Sequence, residues 1–389
     1  MKYIKSFKVF ILFLGYISPF SLGASENTFI DTFKNGSATH SVIASSSAIT
    51  QSVPCHGATD CKQVSQNSKK FHDQTFASYE KYLTSIKNGM SSVKVQKISF
   101  PVKKNSSSDQ AFIRNGFLVT RPGALGTVVI CHGYTQSKHE AFFFRALFAH
   151  FNVLAFDFRA HGELVQDQYS TIGQDEIYDV YGAVEFVRSN IECTGKPIIG
   201  FGFSMGAVSL IMAQAHYGNL FDMLILDSPF DSSDICMDIR LSELLDYRFL
   251  PGKEFIKAAI MKGLYSKNWQ SVVKPIFKMA TGLNPNSVET KFVPVIPVNI
   301  ASRITIPCFF ITCENDKKVT VDSVRRLYDI VRSPLKRLWI TQGASHCGSC
   351  LAQPELYLYM VNKFIKKGLK GKCGIGEKVI DHRVGVVSN

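Results

Sequence analysis

The sequence lacks the features of several large protein classes. Only one long apolar run occurs, at the very start, which excludes a protein that crosses the membrane several times. Glycine is ordinary, at 27 of 389 residues, and no heptad pattern is sustained, so collagen-like and coiled-coil structures are excluded as well. With 46% hydrophobic and 12% aromatic residues, the chain has enough apolar side chains for a large core, which excludes wholesale disorder.

Nucleic-acid binding is not expected either, although the formal net charge is +13. A nucleic-acid-binding domain shows a basic helix or a platform of basic and aromatic side chains, and the sequence has neither. The positive charge is diffuse and favours solubility, except for one dense run near the C-terminus that weakly suggests peripheral association with membranes. That run consists of Lys363, Lys366, Lys367, Lys370 and Lys372.

The N-terminus has the pattern of an export signal. Lys2, Lys5 and Lys8 precede a short apolar stretch that is followed by small residues. This order predicts a secretory signal peptide over residues 1–23, and therefore a periplasmic or extracellular protein. The alternative is an uncleaved membrane anchor, although the apolar stretch is shorter than the ~20 residues that span a bilayer. Residues 24–75 are rich in Ser, Asn, Gln and Thr, and we interpret them as a flexible arm.

Ten cysteines in an exported protein raise the question of disulfides. Cys55 and Cys61 are spaced to close a small loop. Cys347 and Cys350 form a C-x-x-C, which is either a disulfide that stiffens the segment around it or two buried thiols. A zinc site built on His346 and these two cysteines lacks a second C-x-x-C or a histidine pair to complete it, so we expect no metal and no other cofactor.

From residue 76 onward the chain alternates apolar strands with amphipathic helices. The run Thr127–Cys131 is continuously apolar, as in strands that are buried on both faces. Such alternation predicts an α/β domain over residues 76–389, with a mostly parallel central sheet and helices on both faces. The predicted strands are 93–102, 111–120, 127–131, 153–156, 198–203, 223–226, 308–312 and 338–341.

One long interval, between Leu226 and Cys308, interrupts this alternation. It contains aromatic residues that we assign to its own core rather than to substrate contacts. An insertion of this length in a compact domain is usually functional, so we predict a helical lid after the sixth strand, over about residues 229–300. Its predicted helical stretches are 241–247, 255–265 and 272–279.

The residues Gly202-Phe203-Ser204-Met205-Gly206 match the motif G-x-S-x-G and join a strand to a helix predicted over 207–217. A serine at such a turn has a strained backbone and an exposed hydroxyl, and the helix that follows directs its N–H groups at developing negative charge. Ser204 is therefore a candidate nucleophile. One alternative is a glycine turn with a purely structural role. Another is a dinucleotide-binding loop of the form G-x-G-x-x-G, which fits poorly because the third glycine lies one residue further along the chain than this motif requires.

Four further stretches, each at the end of a predicted strand, occur in a fixed order around this motif. They are Cys131-His132-Gly133-Tyr134, Asp157-Phe158-Arg159-Ala160-His161-Gly162-Glu163, Cys313-Glu314-Asn315-Asp316-Lys317-Lys318-Val319 and Gly343-Ala344-Ser345-His346. Together with G-x-S-x-G they resemble the α/β-hydrolases over roughly residues 90–367, and are most similar to the exported and membrane-associated bacterial branch grouped with the serine aminopeptidases and prolyl oligopeptidases. The resemblance implies the α/β-hydrolase fold and serine hydrolase activity.

The resemblance also assigns roles by position. Ser204 would be the nucleophile, His346 the general base and Asp316 the acid that orients it. The backbone N–H groups of Tyr134 and Met205 would form the oxyanion hole, and the Tyr134 hydroxyl is a further candidate donor. The chain order of serine, aspartate and histidine is that of the family.

Several residues have competing interpretations. Three other carboxylates compete for the role of the acid, namely Glu314, Asp227 and Asp231. His132 and His161 lie in the matching stretches, and we interpret them as structural, ordering two loops by hydrogen bonds.

Three functions stay open from the sequence. The first is an exported serine hydrolase that cleaves an ester, thioester or amide in a small molecule, a peptide or an acyl-lipid. The second is a serine peptidase that recognises a free amino terminus through carboxylates of the lid. The third is a non-catalytic α/β-hydrolase fold used for binding, which is disfavoured because all three triad candidates are present. The lid carboxylates are Asp234, Asp238, Glu243 and Asp246.

Overall fold

The structure is a computed structural model that describes residues 93–103, 105, 111–165, 168–246, 252–266, 275, 288–342 and 345–370. The predicted signal peptide, the predicted arm and the Cys55–Cys61 pair lie outside these residues, as does the predicted helical stretch 272–279 except for its residue 275. In the part of the chain that the structure covers, no helix is both long and apolar enough to cross a membrane.

Eight strands form one sheet. They are β1 (Lys94–Lys103), β2 (Ala111–Thr120), β3 (Thr127–Cys131), β4 (Asn152–Phe156), β5 (Ile198–Phe203), β6 (Met223–Asp227), β7 (Cys308–Cys313) and β8 (Lys336–Thr341). They lie side by side in the order β1-β2-β4-β3-β5-β6-β7-β8. Only β2 runs antiparallel to its neighbours, and every pair from β4 to β8 is parallel. The prediction of a mostly parallel sheet is confirmed.

Helices cover both faces of this sheet. The α-helices are α1 (Lys138–Phe143), α2 (Glu176–Ser189), α3 (Met205–Tyr217), α4 (Ser233–Asp246), α5 (Lys253–Leu264), α6 (Val321–Ile330), α7 (Ser349–Ala352) and α8 (Pro354–Gly368). Residues of α2, α3 and α6 pack on one face, and residues of α1 and α8 on the other. Since strand side chains alternate, Leu224 and Leu226 point to the first layer while Met223 and Ile225 point to the second.

The first and last residues of several strands agree with those predicted from the sequence, and others differ by a few residues. β2, β3 and β5 begin and end at their predicted residues. β8 begins at Lys336, two residues before the predicted start, because this edge strand is only partly buried and its first residues lack an apolar pattern. α3 begins at Met205 rather than at residue 207, because the chain turns into the helix directly after Ser204.

Two helices, α4 and α5, occupy part of the interval predicted as a lid. The predicted helical stretch 255–265 is confirmed, since α5 covers nearly all of it. The two helices contact each other through a salt bridge of 3.2 Å between Lys257 Nζ and Asp238 Oδ1. Their role as a cover over an active site stays a prediction.

The parallel strands bring six chain turns to one edge of the sheet. The strands β3 to β8 all point their carboxyl ends to this edge. Ligands of open α/β sheets bind at this edge. The turns after these strands carry every residue for which the sequence predicts a catalytic role.

Candidate active site

Ser204 occupies a strained turn between β5 and α3. Its φ of 49° and ψ of −115° lie outside the regions that L-residues ordinarily adopt. The Ser204 N–H donates to the Asp227 carbonyl at 2.8 Å, and the Ser204 carbonyl accepts from the Val208 N–H at 3.0 Å. Strain of this kind costs on the order of 1–3 kcal/mol and is concentrated at functional sites. The backbone therefore agrees with the conformation that the motif predicts.

The two glycines of the motif are required by the close approach of other backbone atoms. A Cβ on Gly202 would lie 2.7 Å from the Ala207 nitrogen. A Cβ on Gly206 would lie 2.2 Å from the Cys131 carbonyl oxygen and 2.5 Å from that of His132. Hence α3 begins directly against the end of β3, and the turn that contains Tyr134 lies beside the turn that contains Ser204.

This contact predicts a large effect for Gly206→Ala. We expect a loss of about 3 kcal/mol in the free energy of unfolding, because the added methyl group meets main chain that moves only if β3 moves. Urea unfolding measures the loss. Gly123→Ala is the control for a glycine without a close neighbour: Gly123 has a positive φ of 70°, but a Cβ there meets nothing within 4 Å. The control should lose only about 1 kcal/mol, and equal losses in both variants would contradict the close approach at Gly206.

His346 and Asp316 form a direct hydrogen bond. The distance between His346 Nδ1 and Asp316 Oδ2 is 2.7 Å. The other carboxylate oxygen, Oδ1, accepts the N–H groups of Lys318 and Val319, both at 2.9 Å. The Asp316 side chain is fully buried and that of His346 is 16% exposed. The carboxylate is thus held in place from one side and orients the imidazole from the other, leaving Nε2 to exchange a proton.

None of the three competing carboxylates is hydrogen-bonded to His346 in the described part of the chain. Asp227 accepts hydrogen bonds from Tyr357 and Ser228. Asp231 pairs with Arg326 and also accepts from Ser323. Glu314 is exposed. Among the described carboxylates, Asp316 is the one that hydrogen-bonds His346.

Ser204 lies on the same edge of the sheet as this pair. β5, β6 and β7 are consecutive neighbours, and Ser204 directly follows β5 while Asp316 follows β7. Within the described part of the chain no hydrogen bond joins Ser204 Oγ to His346. Such catalytic hydrogen bonds are often long in structures without substrate and shorten only in the complex.

The segment around His346 contains two separate thiols rather than a disulfide. Cys347 and Cys350 are both free, so the hypothesis of a bridge next to the histidine is not supported. Burial raises the pKa of the Cys350 thiol to about 12 and that of Cys347 well above its ordinary value. Gly343 and Ala344 of the G-x-x-H stretch lie outside the described residues.

The two predicted oxyanion donors lie in adjacent turns. Met205 is the first residue of α3, so its N–H has no acceptor within the helix. Tyr134 follows Gly133, whose N–H donates to Gln136 Oε1 at 2.8 Å and whose carbonyl accepts the Gln136 N–H at 3.2 Å. The Tyr134 hydroxyl is hydrogen-bonded to the Thr290 hydroxyl. The alternative in which this hydroxyl faces the oxyanion therefore loses support.

His132 and His161 contact the backbone of both neighbouring loops. His132 Nε2 accepts the Phe158 N–H at 3.0 Å, and His161 Nε2 accepts the Thr135 N–H at 3.2 Å. Their Nδ1 atoms lie 2.7 and 2.8 Å from carbonyl oxygens, to which they donate. Burial lowers the pKa of each histidine to about 4, so both are neutral at pH 7. These contacts agree with the predicted structural role.

The Asp157–Glu163 loop is anchored by buried charges. Asp157 accepts from the backbone and side-chain nitrogens of Lys138, at 2.6 and 2.7 Å. Asp179 lies 3.0 Å from both Arg114 and Arg159. Burial alone would raise the pKa of Asp179, but the two guanidinium groups outweigh it and the net pKa is lowered. Asp179 is thus a buried anion that fixes the loop beside the site.

No metal-type cluster of three or more histidine, cysteine or carboxylate side chains occurs in the described ranges. The site consists of a hydroxyl, an imidazole, a carboxylate and backbone N–H groups. The sequence predicts these groups as a nucleophile, a base, the acid that orients the base, and donors to an anion.

Comparison with known proteins gives the family. Residues 128–358, more than half of the chain, match the alpha/beta hydrolase family. The chain belongs to that family. The matched alpha/beta hydrolase region includes Ser204, Asp316 and His346, while the narrower branch of exported peptidase relatives stays a prediction.

Two further proteins are similar to this chain. The chain is 28% identical over 256 residues to the uncharacterized protein YqkD of Bacillus subtilis, which covers 64% of this chain and 74% of YqkD. It is 26% identical to the solved structure of the esterase Pf2001 from Pyrococcus furiosus, with a TM-score of 0.54 over 71% of this chain and 92% of the esterase. A second solved form of Pf2001 has a TM-score of 0.52.

The sequence did not reveal two buried polar networks of this alpha/beta hydrolase. One joins Arg114 and Arg159 through Asp179, and the other joins Asp227 to Tyr357. A charged residue within an apolar strand, as at Arg114, is the only local signal. The partners are 65 and 130 residues apart in sequence, which no local pattern links.

Proposed function

We propose that this protein is a serine hydrolase that cleaves an ester, thioester or amide through an acyl-enzyme. Ser204 is the nucleophile, His346 the general base and Asp316 the acid. The observation that carries the proposal is the 2.7 Å hydrogen bond between His346 and Asp316. This pair lies at the edge of the sheet where Ser204 has a strained backbone conformation.

In the first half of the reaction Ser204 Oγ attacks the substrate carbonyl and its proton passes to His346 Nε2. The carbonyl oxygen becomes negative and is stabilised by the N–H groups of Met205 and Tyr134. Each such donor contributes about 2.7–4 kcal/mol in the transition state. When the tetrahedral intermediate collapses, His346 gives the proton to the leaving group and an acyl-Ser204 ester remains.

In the second half a water molecule takes the place of the leaving group. His346 accepts a proton from water as it attacks the acyl-enzyme, then returns one to Ser204 Oγ as the acid product departs. Throughout, Asp316 keeps the Nδ1 proton of His346 in place and stabilises the imidazolium that forms.

An ester is the favoured substrate. The structural likeness to an esterase at 26% identity supports it. Two of the lid carboxylates that a peptidase could use for an amino terminus already have partners: Asp234 accepts from Tyr265 and Asp238 pairs with Lys257. The predicted signal peptide would direct the enzyme to substrates outside the cytoplasm.

The experiment that tests the proposal is turnover of p-nitrophenyl acetate, butyrate, octanoate and palmitate, with an aminoacyl anilide beside them. A fluorophosphonate probe, followed by mass spectrometry of the labelled peptide, reports the nucleophile. We expect ester hydrolysis and labelling at Ser204.

The acyl-chain optimum defines the substrate class. A short-chain optimum indicates a small esterase pocket, and a long-chain optimum indicates an acyl-lipid or acyl-protein substrate. Cleavage of the anilide in preference to every ester would replace the esterase by the peptidase. Absence of both turnover and labelling would favour a fold used for binding.

A further inference from the structure

The Tyr134 side chain joins the candidate oxyanion turn to a distant part of the chain. Its hydroxyl is hydrogen-bonded to the Thr290 hydroxyl, 156 residues away in sequence. The Thr290 hydroxyl in turn donates to the Val288 carbonyl at 3.1 Å. Since a hydroxyl has a single hydrogen, the Tyr134 hydroxyl is the donor to Thr290. Burial raises the pKa of the Tyr134 hydroxyl, so it keeps this proton at neutral pH.

Thr290 is fully buried, and the loop that follows β4 holds its backbone. The Ser170 N–H donates to the Glu289 carbonyl at 2.8 Å, and the Ser170 carbonyl accepts the Lys291 N–H at 2.9 Å. These two bonds pair Ser170 with Thr290 as in a parallel sheet. The Ser170 hydroxyl oxygen also lies 3.7 Å from the sulfur of Met205, the other predicted oxyanion donor. Thr290 and its backbone partner therefore contact the side chains of both predicted donor residues.

The loop that contains Ser170 is fixed by a buried carboxylate. Glu176 is the first residue of α2 and is fully buried. Its Oε1 accepts the Ser170 hydroxyl at 2.8 Å and the Thr171 N–H at 2.9 Å. Its Oε2 accepts the Thr171 hydroxyl at 2.9 Å and the Gly173 N–H at 2.8 Å. With four donors on one carboxylate, the loop is attached to α2, and Thr290 is attached through the loop to the core of the domain.

The turn that contains Tyr134 needs such anchors because its backbone is strained. Thr135 has a φ of 67°, in the left-handed region that a β-branched residue rarely adopts, and the surroundings must hold it there. His161 Nε2 accepts the Thr135 N–H on one side, and Gly133 bonds to Gln136 on the other. No described residue accepts the Tyr134 N–H, so this donor is left for a substrate oxygen. The Tyr134 side chain is the anchor attached to the donor residue itself.

We propose that Thr290 is a positioning residue for the oxyanion hole, because its hydroxyl holds the Tyr134 side chain and so keeps the Tyr134 N–H aligned with the substrate carbonyl oxygen. The inference rests on the proposed function, since it needs the Tyr134 N–H to act as an oxyanion donor. Thr290 does not contact the reacting atoms and acts only through Tyr134. An oxyanion donor stabilises the transition state more than the bound ester, so poorer alignment lowers kcat without raising KM.

Thr290→Val removes the hydroxyl and keeps the branched shape of the side chain. Complete loss of an oxyanion donor lowers kcat by roughly 10²- to 10³-fold, and a donor that is only less well aligned loses part of this effect. We therefore expect kcat for the best p-nitrophenyl ester to fall about tenfold, with KM unchanged. Thr290→Ser keeps the hydroxyl and should restore kcat to within about twofold of wild type.

A transition-state analogue separates alignment of the donor from a general loss of structure. Ser204 Oγ adds to the carbonyl carbon of an alkyl trifluoromethyl ketone, its proton passes to His346, and the ketone oxygen becomes an anion in the oxyanion hole. The inhibition constant Ki of this ketone therefore reports the same donors as kcat. In Thr290→Val we expect Ki to rise by the factor by which kcat falls. A fall in kcat with the wild-type Ki would overturn the inference.

Tyr134→Phe removes the same hydrogen bond from its other end and keeps the Tyr134 N–H. Each single variant and the double variant should lose about the same factor in kcat, because all three lack one and the same bond. Losses that multiply in the double variant would overturn the inference. So would a fall of roughly 10²- to 10³-fold in Tyr134→Phe, which would place the tyrosine hydroxyl itself on the oxyanion. Tyr134→Phe also decides the matter if Thr290→Val does not fold.

Thr127→Val is the matched control. Thr127 is as fully buried as Thr290, but it begins β3 and so lies at the end of that strand opposite to the Tyr134 turn. Its kcat and Ki should equal those of wild type. Equal losses in Thr127→Val and Thr290→Val, or wild-type kcat and Ki in Thr290→Val, would overturn the inference alone. No turnover and no labelling of Ser204 in the wild-type protein would overturn it together with the proposed function.

Discussion

Replacing Ser204 with alanine should lower kcat for ester hydrolysis by roughly 10⁶-fold, the scale found when a serine nucleophile is removed from a triad enzyme. The reason is that the acyl-enzyme no longer forms, and only the oxyanion donors and substrate binding act on direct attack by water. Residual activity of about 10³- to 10⁴-fold over the uncatalysed rate is expected from these donors.

Initial rates on the best p-nitrophenyl ester, together with fluorophosphonate labelling, measure the effect. Ser209→Ala is the matched control, since Ser209 lies four residues after Met205 on α3 and donates to the Met205 carbonyl at 2.8 Å. It should keep its label and most of its activity. If Ser204→Ala retained activity within tenfold of wild type, the nucleophile would have to be another residue.

Asp316→Asn should lower kcat by about 10⁴-fold with little change in KM. The asparagine amide can turn its N–H₂ toward His346 Nδ1 and so select the tautomer in which Nε2 carries the hydrogen, which cannot accept the Ser204 proton. It also removes the charge that stabilises the imidazolium. The fold should survive, because a side-chain oxygen can still accept the N–H groups of Lys318 and Val319.

Steady-state kinetics across pH 5–10 separate this loss from misfolding. Glu314→Gln is the matched control, because it changes an exposed carboxylate two residues away that competes for the role of the acid in the sequence. Its kcat should match wild type. A loss in Glu314→Gln with normal activity in Asp316→Asn would reverse the assignment of the acid.

Much of the fold could be predicted because its signals are local. The strand Thr127–Cys131 is apolar after its first residue, and it is buried at all five positions. The glycines at 202 and 206 predict a turn with close backbone contacts, and the structure places carbonyl oxygens of β3 against Gly206. The start of β8 differs from the prediction because this edge strand is buried only at Thr341, so its first residues, Lys336 and Arg337, resemble a loop in sequence.

The sequence by itself determined the order of strands and helices, the turn at Ser204 and the short set of residues that could act with it. These follow from side-chain period and from the steric demands of a few neighbouring residues. Only the tertiary structure decided which carboxylate meets His346. Asp227 ends β6 and Asp231 follows it, while Glu314 and Asp316 follow the neighbouring strand β7. The register of the sheet together with the turn after β7 places Asp316 at 2.7 Å from the imidazole. The same packing joins Asp227 to Tyr357 across 130 residues, a contact made by distant segments and therefore invisible to any local pattern.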